Sequence, residues 1–176
     1  MSKVRTLARM LEASPAGVSQ AISRLIDAGL LTETRIAAVP GLFWAVVDTW
    51  EPDWVDLGWS PKPSADLVAV GTAAAAALGA PVAAKAAPLE LLATDARVLR
   101  AVLRKDAANK SSHVKPRVPI RVAIAPGPAA FEEHPDAVKV RGHRVANPTA
   151  VAASIAADKA RGAEIVEAWD LADRAW

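Results

Sequence analysis

Residues 4–31 read VRTLARMLEASPAGVSQAISRLIDAGLL and predict two helices joined by a tight turn. Apolar residues of the first helix recur at the i, i+3, i+4 and i+7 spacing of a single helical face, and these residues are Val4, Leu7, Ala8 and Leu11. Ser14 and Pro15 give the second helix an N-cap and a first helical residue. Gly29 is a typical C-terminal stop, so the second helix ends there.

The face of the second helix opposite its apolar stripe predicts contact with DNA. It carries small and hydrogen-bonding side chains, which suit a helix lying in a major groove. Ala8 precedes Val18 by ten positions, as in helix-turn-helix units whose helices cross closely. The predicted DNA-binding residues of this segment are Ser14, Ala16, Gly17, Ser19, Gln20, Ser23 and Arg24. An ordinary helical hairpin with the same caps is the alternative.

These residues have separate expected roles. We expect Ser19, Gln20 and Ser23 to contact bases, because their side chains have donors and acceptors that match base edges. Arg24 is expected to hold phosphates, and Ser14 to cap the helix.

A β-hairpin is predicted after the second helix, and together these elements predict a winged helix-turn-helix. Residues 30–37 alternate apolar and polar side chains, and residues 42–47 are rich in aromatic and β-branched side chains. Val39-Pro40-Gly41 supplies the turn between them. Arg35 is then expected to lie on the wing, near the phosphate backbone.

The apolar face of the helix pair needs a cover. Winged helices normally have a further helix before this pair, and here Met1 lies immediately before the first helix. The face left open consists of Leu7, Leu11, Ile22 and Ile26. We expect residues 50–59 to cover it with a short helix that pairs Trp50 and Trp54; the alternatives are a homodimer and the terminal helix that ends at Trp169 and Trp176.

Composition excludes several classes of protein. A hydrophobic content of 52% in 176 residues excludes wholesale disorder. The most apolar run, residues 67–84, is interrupted by glycine and proline, so no membrane span is expected. The chain has no cysteine, which excludes disulfides and thiolate metal sites. With no export leader recognisable before the first helix, the expected location is cytoplasmic.

The expected fold class is α+β. Residues 1–48 form the winged helix-turn-helix domain, residues 49–65 a Trp/Pro-rich connector, and residues 66–176 a small mixed α/β domain. The last assignment rests on strand patterns that alternate with helix patterns after residue 66.

The second domain carries a concentrated basic segment. The net charge of the chain is only +2, but residues 97–121 have a single acidic residue, Asp106, among their Lys and Arg residues. This pattern predicts a patch for phosphates or for an acidic partner. The patch consists of Arg97, Arg100, Arg104, Lys105, Lys110, Lys115 and Arg117. A solvated helix face followed by a loop is the alternative.

The order of motifs resembles that of bacterial regulators of the abortive-infection AbiEi-type antitoxin family. The resemblance lies in the predicted winged helix, in the segments WAVVD (44–48) and VGTAAA (70–75), and in residues 147–169. It implies a DNA-binding winged helix that represses an operon encoding a nucleotidyltransferase-like toxin. It also implies that the C-terminal domain provides the antitoxin function.

No set of catalytic residues is recognisable. The strand followed by Gly71-Thr72 is similar to a nucleotidyltransferase turn, but that chemistry needs paired carboxylates on the next strand. That strand offers only Glu90, so we interpret the turn as close packing of strand and helix. The three histidines lack ligand spacing. We therefore expect no enzyme, no catalytic residue, no metal site and no cofactor.

The function predicted from the sequence is that of a sequence-specific DNA-binding transcriptional regulator, an antitoxin-like repressor. Its expected partner is double-stranded DNA, and the resemblance adds a cognate nucleotidyltransferase-like toxin. One alternative is a protein-interaction antitoxin or defence component with a degenerate winged helix. A metal-dependent nucleotidyltransferase is the weakest of the three hypotheses.

Overall fold

The computed structural model describes residues 3–11, 13–31, 41–109, 116–131, 138–158 and 161–169. The chain divides into two compact units, Met1–Thr49 and Trp50–Trp176. Its described parts are mixed α and β, with seven α-helices and one sheet of six strands. No helix in these ranges is long and apolar enough to cross a lipid bilayer.

The first unit begins with the predicted pair of helices, α1 (Lys3–Met10) and α2 (Pro15–Asp27). Ser14 is the N-cap of α2, and its Oγ accepts a hydrogen bond from the Gly17 N–H at 3.0 Å. Gly29 follows the helix at a φ of 71°, a left-handed conformation that glycine adopts without strain. The predicted helices, cap and stop are all confirmed.

The apolar face of this helix pair is only partly buried. α1 packs against α2, and Ala8 and Val18 are 2% and 5% exposed. Ala8 lets the two helices approach closely because its side chain is a single methyl group. Leu7 and Leu11 are 37% and 50% exposed, so the stripe predicted for α1 is not buried along its whole length.

The prediction of a second strand in the wing is wrong. Residues 41–47 form a helix, α3 (Gly41–Val47), in which Phe43 and Val47 are buried one helical turn apart. A short apolar run fits a strand and a buried helix equally well by periodicity, and here the helical spacing prevails. Of the first predicted strand only residues 30 and 31 are described, so Arg35 lies outside the described residues.

The second unit is built on a mixed sheet of six strands in the order β1-β4-β3-β2-β6-β5. Their bounds are β1 Val55–Leu57, β2 Leu67–Val70, β3 Leu89–Ala93, β4 Ile120–Ile124, β5 Lys139–Val140 and β6 His143–Val145. β3 with β4 and β2 with β6 are the parallel pairs. Every residue of β2 and β3 is buried, so both faces of these strands are covered.

Four α-helices belong to this unit: α4 (Gly71–Ala77), α5 (Ala96–Asn109), α6 (Pro148–Ala156) and α7 (Gly162–Ala168). A 3₁₀ turn occupies Pro128–Phe131. α4 packs on α6 and on the sheet, α5 packs on β3 and β4, and α7 packs on α6. Asn147 caps α6 by accepting a hydrogen bond from the Thr149 N–H at 2.8 Å.

The segment predicted as a connector, residues 49–65, contributes to the second unit from Trp50 onward. Its residues 55–57 are β1, the edge strand that pairs antiparallel with β4. Trp50 and Trp54 are not in a helix; Trp50 is buried and Trp54 is half-buried. The short helix expected to pair their side chains is therefore wrong, because an edge strand of the sheet begins directly after them.

Candidate functional sites

The exposed surface of α2 brings together most of the predicted DNA-binding residues. All members of the described set are exposed, and they are Ser14, Ala16, Gly17, Ser19, Gln20, Ser23 and Arg24. Opposite them Val18 is buried, while Ile22, Leu25 and Ile26 are half-buried. The Ser23 hydroxyl donates to the Ser19 backbone carbonyl, one helical turn earlier, at 3.2 Å.

The basic surface of the second unit lies on α5. Arg97, Arg100, Arg104 and Lys105 are exposed, as is Arg117 after the helix. Lys110 and Lys115 lie outside the described residues. The structure thus places four of the seven predicted cations on one helix, and α5 packs on the sheet through its other side.

Asp95, just before α5, and Asp106, within it, are both engaged with backbone groups. Asp95 Oδ1 accepts from the Val98 and Arg97 N–H groups at 2.9 and 2.6 Å. Both bonds lower the pKa of Asp95, and the bond from the Val98 N–H has the larger effect. Asp106 is 7% exposed and accepts from the Gly58 N–H at 2.8 Å. Asp106 is therefore not at the surface among the cations of α5.

A buried carboxylate that the sequence alone left unexplained lies at the turn from β2 to α4. Glu90 is 6% exposed and pairs with Arg121, whose Nε donates to Glu90 Oε1 at 2.6 Å and whose Nη2 donates to the same oxygen. The Arg121 guanidinium also lies 4.7 Å from the ring centroid of Trp54, within the range of a cation–π contact. Burial raises the pKa of Glu90, and Arg121 opposes that rise.

The ion pair with Arg121 gives the buried Glu90 carboxylate a structural role in the sheet. Sheet register places Glu90 opposite both Val70 of β2 and Arg121 of β4. Gly71 follows Val70 at a φ of 73°, and its N–H donates to Ser154 Oγ at 2.9 Å. In the described ranges, no three acidic or histidine side chains are grouped so that they could hold a metal ion.

His143 of β6 is fully buried, and in the described parts of the chain neither of its ring nitrogens has a hydrogen-bond partner. Burial lowers the pKa of His143, and the nearby Pro61 carbonyl opposes this only in part. A neutral imidazole is therefore favoured in the folded state. No signal in the sequence distinguished this histidine from a surface residue.

We expect the fold to lose stability as the pH falls through 6.5, the ordinary pKa of histidine. The unfolded chain then binds a proton that folded His143 resists, so unfolding becomes easier at lower pH. Urea unfolding from about pH 7 to about pH 5 should show this slope in the wild type and a weaker slope in His143→Phe. The raised pKa of Glu90 changes stability with pH in the opposite direction to His143. This contribution is present in both proteins, so it cancels when their two slopes are compared. Equal slopes would contradict the prediction.

Comparison with known proteins gives no relative: no protein family, no curated protein and no solved structure matches this chain.

Proposed function

We propose that the protein binds duplex DNA sequence-specifically through α2 and acts as a transcriptional regulator. The observation that supports this proposal most directly is the exposed row of small and polar side chains on α2, a helix that packs against α1 and buries Val18. A helix with this surface fits the major groove, where glutamine pairs with adenine and arginine reaches phosphates. The proposal rests on α1 and α2 and includes no wing.

Two substitutions test the assignment of roles on α2. Gln20→Ala should cost about 1–3 kcal/mol on the preferred site and little on unrelated sequences, because it removes a base contact. Arg24→Ala should weaken binding to all sequences alike and reduce the slope of log K against log salt by about 0.9, because one phosphate contact is lost. Both residues are exposed, so neither change should alter the fold.

The measurement is fluorescence anisotropy of the full chain on a duplex enriched by in vitro selection, compared with a scrambled duplex at several salt concentrations. Arg161→Ala, an exposed arginine of the second unit, is the matched control and should behave as the wild type. Binding that does not change between low and physiological salt would refute the proposal. If Gln20→Ala and Arg24→Ala have the same effect on both duplexes, the division into base and phosphate contacts is wrong.

A protein-interaction role for the first unit is the second candidate, and one observation favours it. Leu7 and Leu11 on α1 are 37% and 50% exposed, more than expected for the apolar face of a helix pair. Leu11→Ser should leave DNA affinity unchanged if α2 alone contacts DNA. A loss of self-association or of partner binding without loss of DNA binding, measured by analytical ultracentrifugation and pull-down, would support this candidate.

The proposal extends to an antitoxin-like role, in which the regulated operon encodes a nucleotidyltransferase-like toxin. The sequence resemblance described above supports this extension. A nucleotidyltransferase gene beside the gene for this chain would support it further, and co-expression should then relieve toxicity. Toxicity that persists on co-expression would contradict the extension and leave the DNA-binding proposal standing.

A further inference from the structure

A cavity of about 520 Å³ lies in the second unit, between the segment of residues 59–66 and α5. This volume falls in the range of small-molecule sites, which are mostly apolar with a few polar groups. Its apolar walls are formed by Pro61, Leu67, Val98, Ala101 and Val102. Pro61, Leu67 and Val102 are buried, so the floor belongs to the packed core of the unit.

Polar groups around this cavity are mainly hydrogen-bond donors. Lys62 and Lys105 line it, are exposed, and form no ion pair with any described residue. The ring of Trp59 forms another wall. Asp66 is the single carboxylate of the lining. Two ammonium groups against one carboxylate leave a positive charge beside an apolar cavity.

We propose that this cavity binds a small organic monocarboxylate with an apolar body. The apolar body gains by leaving water against the aliphatic and proline walls. The carboxylate stays beside Lys62 and Lys105, and because these lysines are exposed the charges keep much of their hydration. An inorganic phosphate lacks the apolar part, and an organic cation would face the two lysines. This inference is independent of DNA binding, since every lining residue belongs to the second unit.

The probes are phenylacetate and phenylacetamide, which share shape and apolar body and differ in charge. Saturation-transfer NMR and calorimetry on the full chain should show that phenylacetate binds at least about tenfold more tightly than the amide. In Lys62→Gln/Lys105→Gln this preference should fall to about threefold or less. Lys85→Gln/Lys139→Gln removes the same charge from exposed positions outside the cavity and should keep the full preference.

Ala101→Phe tests the location of the site. Ala101 is half-buried on α5 and lines the cavity, so a phenyl group there should fill it and abolish binding of both probes. Phenylacetate binding that survives Ala101→Phe, equal affinity for the two probes, or no saturation transfer at millimolar phenylacetate would each overturn the proposal. If Ala101→Phe does not fold, the lysine variants still test the proposal, because Lys62 and Lys105 are exposed and their substitution should not disturb the fold.

Discussion

Gly71→Ala is expected to lower the free energy of unfolding by about 3–5 kcal/mol. A Cβ at this position would overlap Glu90 Oε2 and lie 2.5 Å from Glu90 Cδ. The carboxylate could shift only into the cavity of about 350 Å³ that Glu90 and Arg121 line, and such a shift would disturb its ion pair with Arg121. The φ of 73° adds about 1–2 kcal/mol of strain for any residue with a side chain. The rest comes from displacing a buried charge, moderated because the Arg121 side chain is 39% exposed.

A double-mutant cycle separates these two costs. In a Glu90→Ala background the overlap is gone, so Gly71→Ala should cost only the backbone strain of about 1–2 kcal/mol. Urea unfolding of the four proteins, followed by circular dichroism, gives the coupling energy directly. Additive effects of the two substitutions would mean that Glu90 is not what excludes a side chain at position 71.

The pair of Glu90 and Arg121 illustrates what the sequence does not reveal. The two residues are 31 positions apart, and only the register of β3 against β4 places them opposite each other. The sequence predicts close packing of strand and helix at the Gly71 turn, and in the structure the group packed against Gly71 is the Glu90 side chain. A glycine directly after a buried strand is a signal of close approach, and it does not identify the neighbour.

Local signals were sufficient where they involve neighbouring residues. Ser14-Pro15 and Gly29 set the bounds of α2, because capping depends on a few adjacent backbone groups. β2 and β3 are also predictable, since strands covered on both faces are largely apolar runs, and only Glu90 interrupts the one in β3. α3 was not, because seven apolar residues have no polar face to show a period. β1 was missed among acidic residues and prolines because it is a short edge strand.

Gly162 begins α7 at the point where this helix meets the end of α6. A Cβ there would overlap the Ile155 carbonyl oxygen and lie 2.9 Å from the Ala156 carbonyl carbon and Cα. All three neighbours are backbone atoms, so no side chain can rotate away to make room. The Gly162 N–H also donates to the Asp158 carbonyl at 2.8 Å, which fixes the chain between the two helices.

Gly162→Ala should therefore destabilise the second unit by about 1–3 kcal/mol and loosen α7 before the sheet unfolds. Trp169 follows α7 and is 5% exposed, so its indole N–H resonance and the amide exchange of α7 report whether the helix stays docked. Gly127→Ala is the matched control: among the described residues, no atom beyond its two chain neighbours lies within 4 Å of the added methyl group, so the change should stay within about 0.5 kcal/mol of wild type. Equal stability of the two variants would show that α6 and α7 are not in contact at Gly162. Faster exchange confined to α7 in Gly162→Ala is expected, because the overlap acts on that helix and leaves the strand pairing of β2 and β3 intact.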